Sequence, residues 1–260
     1  MKTIKTFGAV GSALAISGVL AFSGQAVADT VIADLDLDGA RGGNINFTGG
    51  NGSAGLFNAS AQGGSFTTDL LPFGDSFVAF CLEPQQALGG GNTTYTVKAL
   101  AEAPSPGPGS PMGSGGQTAL EILLGNVYPV FGAGDVQNAT ETNLTRDESF
   151  IALQAAIWEI SSERNTNVPY SVSTGDFKVT GGQGDDTRIV NQANAWLSSL
   201  NGGAWQANQL GNLVALVNGD EQDMVGQVPI PAAAWLFGSA MVGAVALGRR
   251  KSKKQAQAQV

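Results

Sequence analysis

The chain has 260 residues, with 13 basic and 21 acidic side chains and no histidine. Without histidine, Ser-His-Asp and Cys-His catalysis and every histidine-based metal site are excluded. One cysteine, Cys81, leaves no disulfide partner within the chain.

Residues 1–28 carry Lys2 and Lys5, then an apolar run, then Ala26-Val27-Ala28. A basic start, an apolar core and a small-x-small ending with Ala26 and Ala28 as the cleavage signature predict a signal peptide removed before Asp29. The glycines and the modest apolar core argue against a first transmembrane helix. The exported body is then 29–227. From Thr30 to Phe80 it is rich in Gly, Asn, Ser and Thr, with short apolar runs (VIADLDLD, INF, GLF, DSFVAFCL) between turn residues. This reads as strands and hairpins. A further strand is expected at 93–100 (TTYTVKAL). Residues 101–117, which contain APSPGPGSPMGSGGQ, read as a flexible loop inside the domain.

Three helices follow. Thr118 to Tyr128 places Leu120, Leu123, Leu124 and Val127 at helical spacing. TRDESFIALQAAIWEISSER opens with Thr145 and Glu148 at capping-box spacing and continues with apolar residues at 150, 151, 153, 157, 158 and 160. DDTRIVNQANAWLSSLNGG has Asp186 as N-cap, one apolar face and Gly202 near its stop. LVALVN (213–218) and QDMVGQV (222–228) read as closing strands. The expected class is α+β: a strand-rich, β-sandwich or barrel-like domain with an inserted helical sub-domain.

From Val228 to Gly248 the chain carries no charge, and Arg249, Arg250 and Lys251 follow at once. A transmembrane helix over 232–248 with a basic stop is expected, the body lying outside the inner membrane, and 255–260 is expected to be a disordered end. Between signal and tail stand six basic residues against all 21 acidic ones, a net charge of −15. That balance disfavours nucleic acid or an anionic lipid surface as partner of the body.

Two calcium-like motifs do not hold. DLDLDG (34–39) has Ile45 where a bidentate Glu is needed and alternates like a half-buried strand. GGQGDD (181–186) is a single copy of a pattern that works only when stacked, and reads as a turn and helix cap. The sequons at Asn46, Asn58, Asn92 and Asn138 are expected by chance in such a composition. Nothing in the sequence unites carboxylates such as Glu83 and Glu159 as acid and base, so no enzyme, metal or cofactor is expected.

Gln154 is the oddity of the second helix. Phe150, Ile151, Ile157 and Trp158 lie three or four residues from it, so it sits in the apolar stripe, while Glu148, Glu159 and Glu163 fall at angles that reach water. A buried carboxamide needs hydrogen-bond partners, and a core glutamine bonded to backbone is one solution. The other joins it to Cys81. A thiolate placed against the carboxamide carbon can expel ammonia and leave a thioester, which must be kept dry by neighbours such as Phe80, Leu82, Phe150, Leu153, Ile157 and Trp158.

These residues resemble the thioester domains of bacterial surface adhesins. Their two signatures are matched by Phe80-Cys81-Leu82 and by Leu153-Gln154-Ala155-Ala156-Ile157-Trp158. The resemblance runs from about Ala79 to Leu200 and includes YSVSTGDF (170–177). It implies a Cys81–Gln154 crosslink that opens when a nucleophile, such as a lysine amine on a target surface, attacks the Gln-derived carbonyl. The tail resembles PEP-CTERM sorting signals of the VPLPA variety, through Val228-Pro229-Ile230-Pro231-Ala232, the apolar run and the basic end; Ile230 departs from the Glu of the name-giving pattern. That resemblance implies an exosortase-type sorting enzyme, removal of the tail, and delivery to the cell surface or a polysaccharide-containing matrix. A non-reactive matrix or biofilm protein with the same fold is the alternative for the body.

Overall fold

A computed structural model of the chain describes residues 30–65, 76–88, 91–103, 111–129, 134–163, 168–182, 187–205, 210 and 213–227. The signal peptide with Ala26 and Ala28, and the tail with Val228 to Ala232, the expected transmembrane helix, Arg249, Arg250 and Lys251, lie outside them. No helix among the described residues is long and apolar enough to cross a membrane.

The Gly- and Asn-rich front forms two long strands, β1 (Thr30–Phe47) and β2 (Gly50–Ser65), joined by a tight turn at Thr48 and Gly49. DLDLDG lies inside β1, paired from Asp34 to Asp36 with β2, which is the strand expected of it. Midway along this hairpin Gly42 faces Gly55, with φ of 154° and 146°. A Cβ on either would overlap the opposite strand's carbonyl oxygen, Ala54 or Arg41, so only glycine permits this approach.

The remaining strands are β3 (Ser76–Cys81), β4 (Asn92–Ala99), β5 (Val179–Gly182), β6 (Leu213–Val217) and β7 (Met224–Gln227). All pairings are antiparallel, and their order runs β1–β2–β3–β7–β6–β4 and back to β1. The sheet therefore closes on itself, a barrel-like ring that leaves few free edges. β5 adds to the end of β1 at Ile45–Phe47. GGQGDD begins as the end of a strand at Gly181 and Gly182, because the end of β1 offers it an edge; its remaining residues, with the Asp186 cap, lie outside the described residues.

Between β4 and β6 in the chain come α1 (Gly113–Val127), α2 (Arg146–Ser162) and α3 (Thr187–Asn201). α1 starts five residues before Thr118, so Gly113–Gln117 are helical where a loop is expected. A 3-10 turn at Leu100–Glu102 and the bond from Met112 N–H to Ala103 C=O fix the entry, and Gly116 packs against the Met112 side chain. α2 begins as its sequence demands: Thr145 accepts from Glu148 N–H and the Glu148 carboxylate accepts from Thr145 N–H. Glu148 also pairs with Arg188 of α3 at 2.8 Å.

α2 packs against β1, β2, β3, α1 and α3, and every residue from Ser149 to Ser162 is buried. A helix enclosed on all sides needs small residues where neighbours press closest, and Ala152, Ala155, Ala156, Ser161 and Ser162 supply them. Sheet and helices share one core, not a domain plus a separate helical unit. The class is α+β.

Candidate functional site

The site is the point where β2 and β3 separate. Their last pair is Phe57 with Ala79, whereas β7 continues beside β3 to Cys81, opposite Met224. On the vacated side stands Gln154 of α2. Cys81 N–H donates to Gln154 Oε1 at 3.0 Å, and Gln154 Nε2 donates to Cys81 C=O at 2.8 Å. The carboxamide thus completes the ladder as a strand residue would, and neither Cys81 nor Gln154 has any solvent exposure.

The chain beyond Cys81 is tied down atom by atom. Leu82 N–H donates to Asp223 C=O at 2.8 Å, Ser161 Oγ donates to Leu82 C=O at 2.7 Å, and Gln222 Nε2 donates to Glu83 C=O. Gln154 and Ser161 are two turns apart on α2, so one helical face clasps the strand end twice.

Aromatic clusters close the site at both ends. Phe80, Tyr128 and Phe150 form one, with ring centroids 5.4–6.3 Å apart; Phe47, Trp158 and Phe177 form the other, at 5.5–6.0 Å. Phe150 and Trp158 lie one helical turn before and after Gln154, the spacing that puts all three on one face. Leu82, Leu153 and Ile157 are fully buried as well. Phe80, Leu82, Phe150, Leu153, Ile157 and Trp158 are all buried in the same core as Cys81 and Gln154.

Burial pushes the Cys81 thiol well above its ordinary range, so the resting group is protonated. Around the strand end stand further buried groups, of which the sequence singled out only Glu83. Asp223, with no exposure, takes the Asn218 N–H on Oδ1 at 2.7 Å and has no partner for Oδ2. Burial raises it to about 6. Glu83 is raised to about 7, first by burial and then by the Asp223 charge. Tyr95 has no partner for its hydroxyl, and burial with the charges of Cys81, Glu221 and Asp223 raises it. Tyr95 and Asp223 sit in segments read only as strands, and nothing local marks them as neighbours of Cys81. Ser161 was findable: it lies seven residues after Gln154, on the same helical face.

One expectation is corrected. Glu159 does not reach water: it is 1 % exposed, because residues 168–177 wrap over that face of α2. Its Oε1 accepts the Ser171 N–H at 2.8 Å and Oε2 has no partner. Burial raises Glu159 to about 8, against the lowering bond from Ser171. Glu83 and Glu159 thus belong to different neighbourhoods, one beside Asp223, the other beside Ser171. Among the described residues no group of three or more Cys, Asp or Glu is arranged to hold a metal ion.

Compared with protein-family models, curated proteins and solved structures, the chain finds no match, so the reading of its site rests on its own residues.

Proposed function

We propose that the chain is an exported surface or matrix protein whose body forms a Cys81–Gln154 thioester and uses it for covalent attachment to a target nucleophile. One observation carries this reading: the Gln154 carboxamide is bonded to the main chain of Cys81 through both of its polar atoms, in a site closed to water. The Cys81 N–H on Oε1 polarises the carbonyl as an oxyanion donor does. The reaction joins Cys81 Sγ to the Gln154 carboxamide carbon and breaks the C–N bond, the leaving nitrogen taking up the thiol proton and departing as ammonia. A target amine then attacks the same carbon and frees the thiol.

Before processing, a PEP-CTERM-like tail would hold the protein in the inner membrane for an exosortase-type enzyme, after which it reaches the cell surface or extracellular matrix. The acidic body and the Val228–Ala232 motif support this part of the reading, and surface forms retaining Lys254 would count against it.

The same two hydrogen bonds leave Gln154 with no unmet polar atom, as a purely structural glutamine requires. They therefore also favour a second reading, a non-reactive matrix protein. Intact mass separates the two. The thioester form is lighter by one ammonia, and methylamine adds at Gln154 while releasing one thiol. A full-mass protein that takes up no methylamine overturns the covalent reading.

A further inference from the structure

We infer that the cleft beside the Cys81–Gln154 site takes an extended stretch of polypeptide, uncharged apart from a single lysine, which adds as a strand to the free edge of β2. The cleft has a volume of about 540 Å³. One wall is Gly50–Ser53 of β2, the other is Pro84–Leu88, and Phe47 and Trp158 lie at its base. It exists because β2 and β3 part company: β2 pairs with β3 only at Phe57–Ser60, so Gly50–Leu56 have a single strand neighbour, β1, among the described residues. A strand paired on one side only presents main-chain N–H and C=O groups to any chain that lies alongside.

The opposite wall cannot fill that role. Its approach from Cys81 to Glu83 is already committed to Gln154, Asp223, Ser161 and Gln222, and Ala87 C=O takes the Gln222 N–H.

The lining selects among ligands. Among the described residues no ionisable side chain lines the cleft, so a charged group gains no ion pair from them. A wholly apolar ligand would cover the side-chain amides of Asn51 and Gln85 without pairing them. A sugar ring would need an open aromatic face, but Phe47 and Trp158 are 3 % and 1 % exposed. A peptide backbone supplies donors and acceptors to both the strand edge and the amides. The glycines at 49, 50 and 52 keep the wall low: a Cβ at Gly52 would stand 3.8 Å from the Phe47 ring, within the cleft mouth.

Binding in the cleft stands on this geometry alone, and only the covalent step after it rests on the thioester reading. Pro84 lies three residues beyond Cys81, and Trp158 one turn beyond Gln154. On that reading a lysine of the bound strand is the nucleophile: its nitrogen bonds to the thioester carbonyl carbon, the C–S bond breaks and the amine proton passes to sulfur.

The test uses the full chain in mild detergent. The probe is a pool of acetylated, amidated heptapeptides with a central lysine and uncharged residues elsewhere. A matched pool is N-methylated at alternate amides, which removes strand donors. Binding is read from tryptophan fluorescence, both in the native chain and in Cys81→Ala, which cannot form the thioester. The expected result is reversible binding in both proteins, at least tenfold weaker for the methylated pool. It should be lost in Gly52→Leu and in Ala87→Trp, which obstruct the cleft from opposite walls. Equal binding of the two pools, binding untouched by both variants, no binding, or binding of chitotetraose in place of the peptides overturns the inference. Peptide binding without methylamine uptake sinks the thioester and leaves the cleft assignment standing; methylamine uptake without peptide preference does the reverse.

Discussion

Gln154 and Glu159 stand on the same helix, 0 % and 1 % exposed, and the protein meets their polarity in opposite ways. Around Gln154 a strand end supplies one donor and one acceptor, so both polar atoms of a neutral amide are satisfied. Around Glu159 a wrapping loop supplies a single N–H, and the second carboxyl oxygen is left without a partner. The first arrangement needs no change of state. The second is tolerable only while the carboxyl keeps its proton, which is why its titration is pushed up to about 8. One region of α2 is built for fixed geometry, the other for a group whose charge depends on pH.

Replacing Gln154 should break the first region most severely. Gln154→Leu leaves the Cys81 N–H and C=O buried and unpaired, at a cost of about 3 kcal/mol by chemical denaturation. Cys81→Ala then reads the covalent bond. If the thioester forms, it closes a loop spanning a separation of 73 residues. A crosslink of that size is worth about 4 kcal/mol in the chain-entropy treatment of disulfides. Both variants should lower the melting temperature strongly in that case. A Cys81→Ala change near 1 kcal/mol beside a large Gln154→Leu change would mark the glutamine as structural alone.

For the second region, Glu159→Gln should abolish a pH dependence. The carboxyl titrates higher in the folded than in the unfolded chain, so the folded state holds the extra proton. Its stabilising contribution is full below the unfolded value near 4.5 and is lost as pH rises through about 8. The parent protein should weaken between pH 5 and 9, and the variant should be steadier by about 2 kcal/mol at the alkaline end. Glu83 and Asp223, raised to about 7 and about 6, add slopes of the same sign at lower pH. An identical pH profile for variant and parent would show that Glu159 ionises without penalty.

The smallest effect tests whether the two regions are joined. Ser161 lies on the Glu159 half of α2 yet bonds Leu82, next to Cys81. Ser161→Ala should cost about 1 kcal/mol, read from urea midpoints, while leaving methylamine uptake at Gln154 unchanged. Loss of uptake would mean that the second clasp positions the first.

Local signals in the sequence carried the frame of this arrangement. The Thr145/Glu148 cap and the apolar spacing locate α2, and Gln154 stands out against that spacing because an amide does not belong in an apolar stripe. The burial of Glu159 was illegible, since it depends on residues 168–177 folding over a face whose own periodicity looks polar. β5 hides in VTGG, where glycines erase alternation and the pairing comes from the distant end of β1. The first turn of α1 hides in GSGGQ, a composition that argues for a loop until Met112 packs on Gly116. The tie between Leu82 and Asp223 is also beyond local pattern, because it forms only when β7 pairs with β3.

That last pairing has a kinetic consequence. β3 and β7 lie far apart in the chain, and contacts of such separation form late because loop closure must precede them. Until β7 docks, the strand carrying Cys81 lacks one of its two walls, and the thiol is open to reagents that the folded protein excludes. Pulse alkylation during refolding should label Cys81 quickly and then stop, timing the moment the ring shuts. A thiol that the finished protein buries completely thus spends the first part of its life wet, and closure by the last strand ends the exposure.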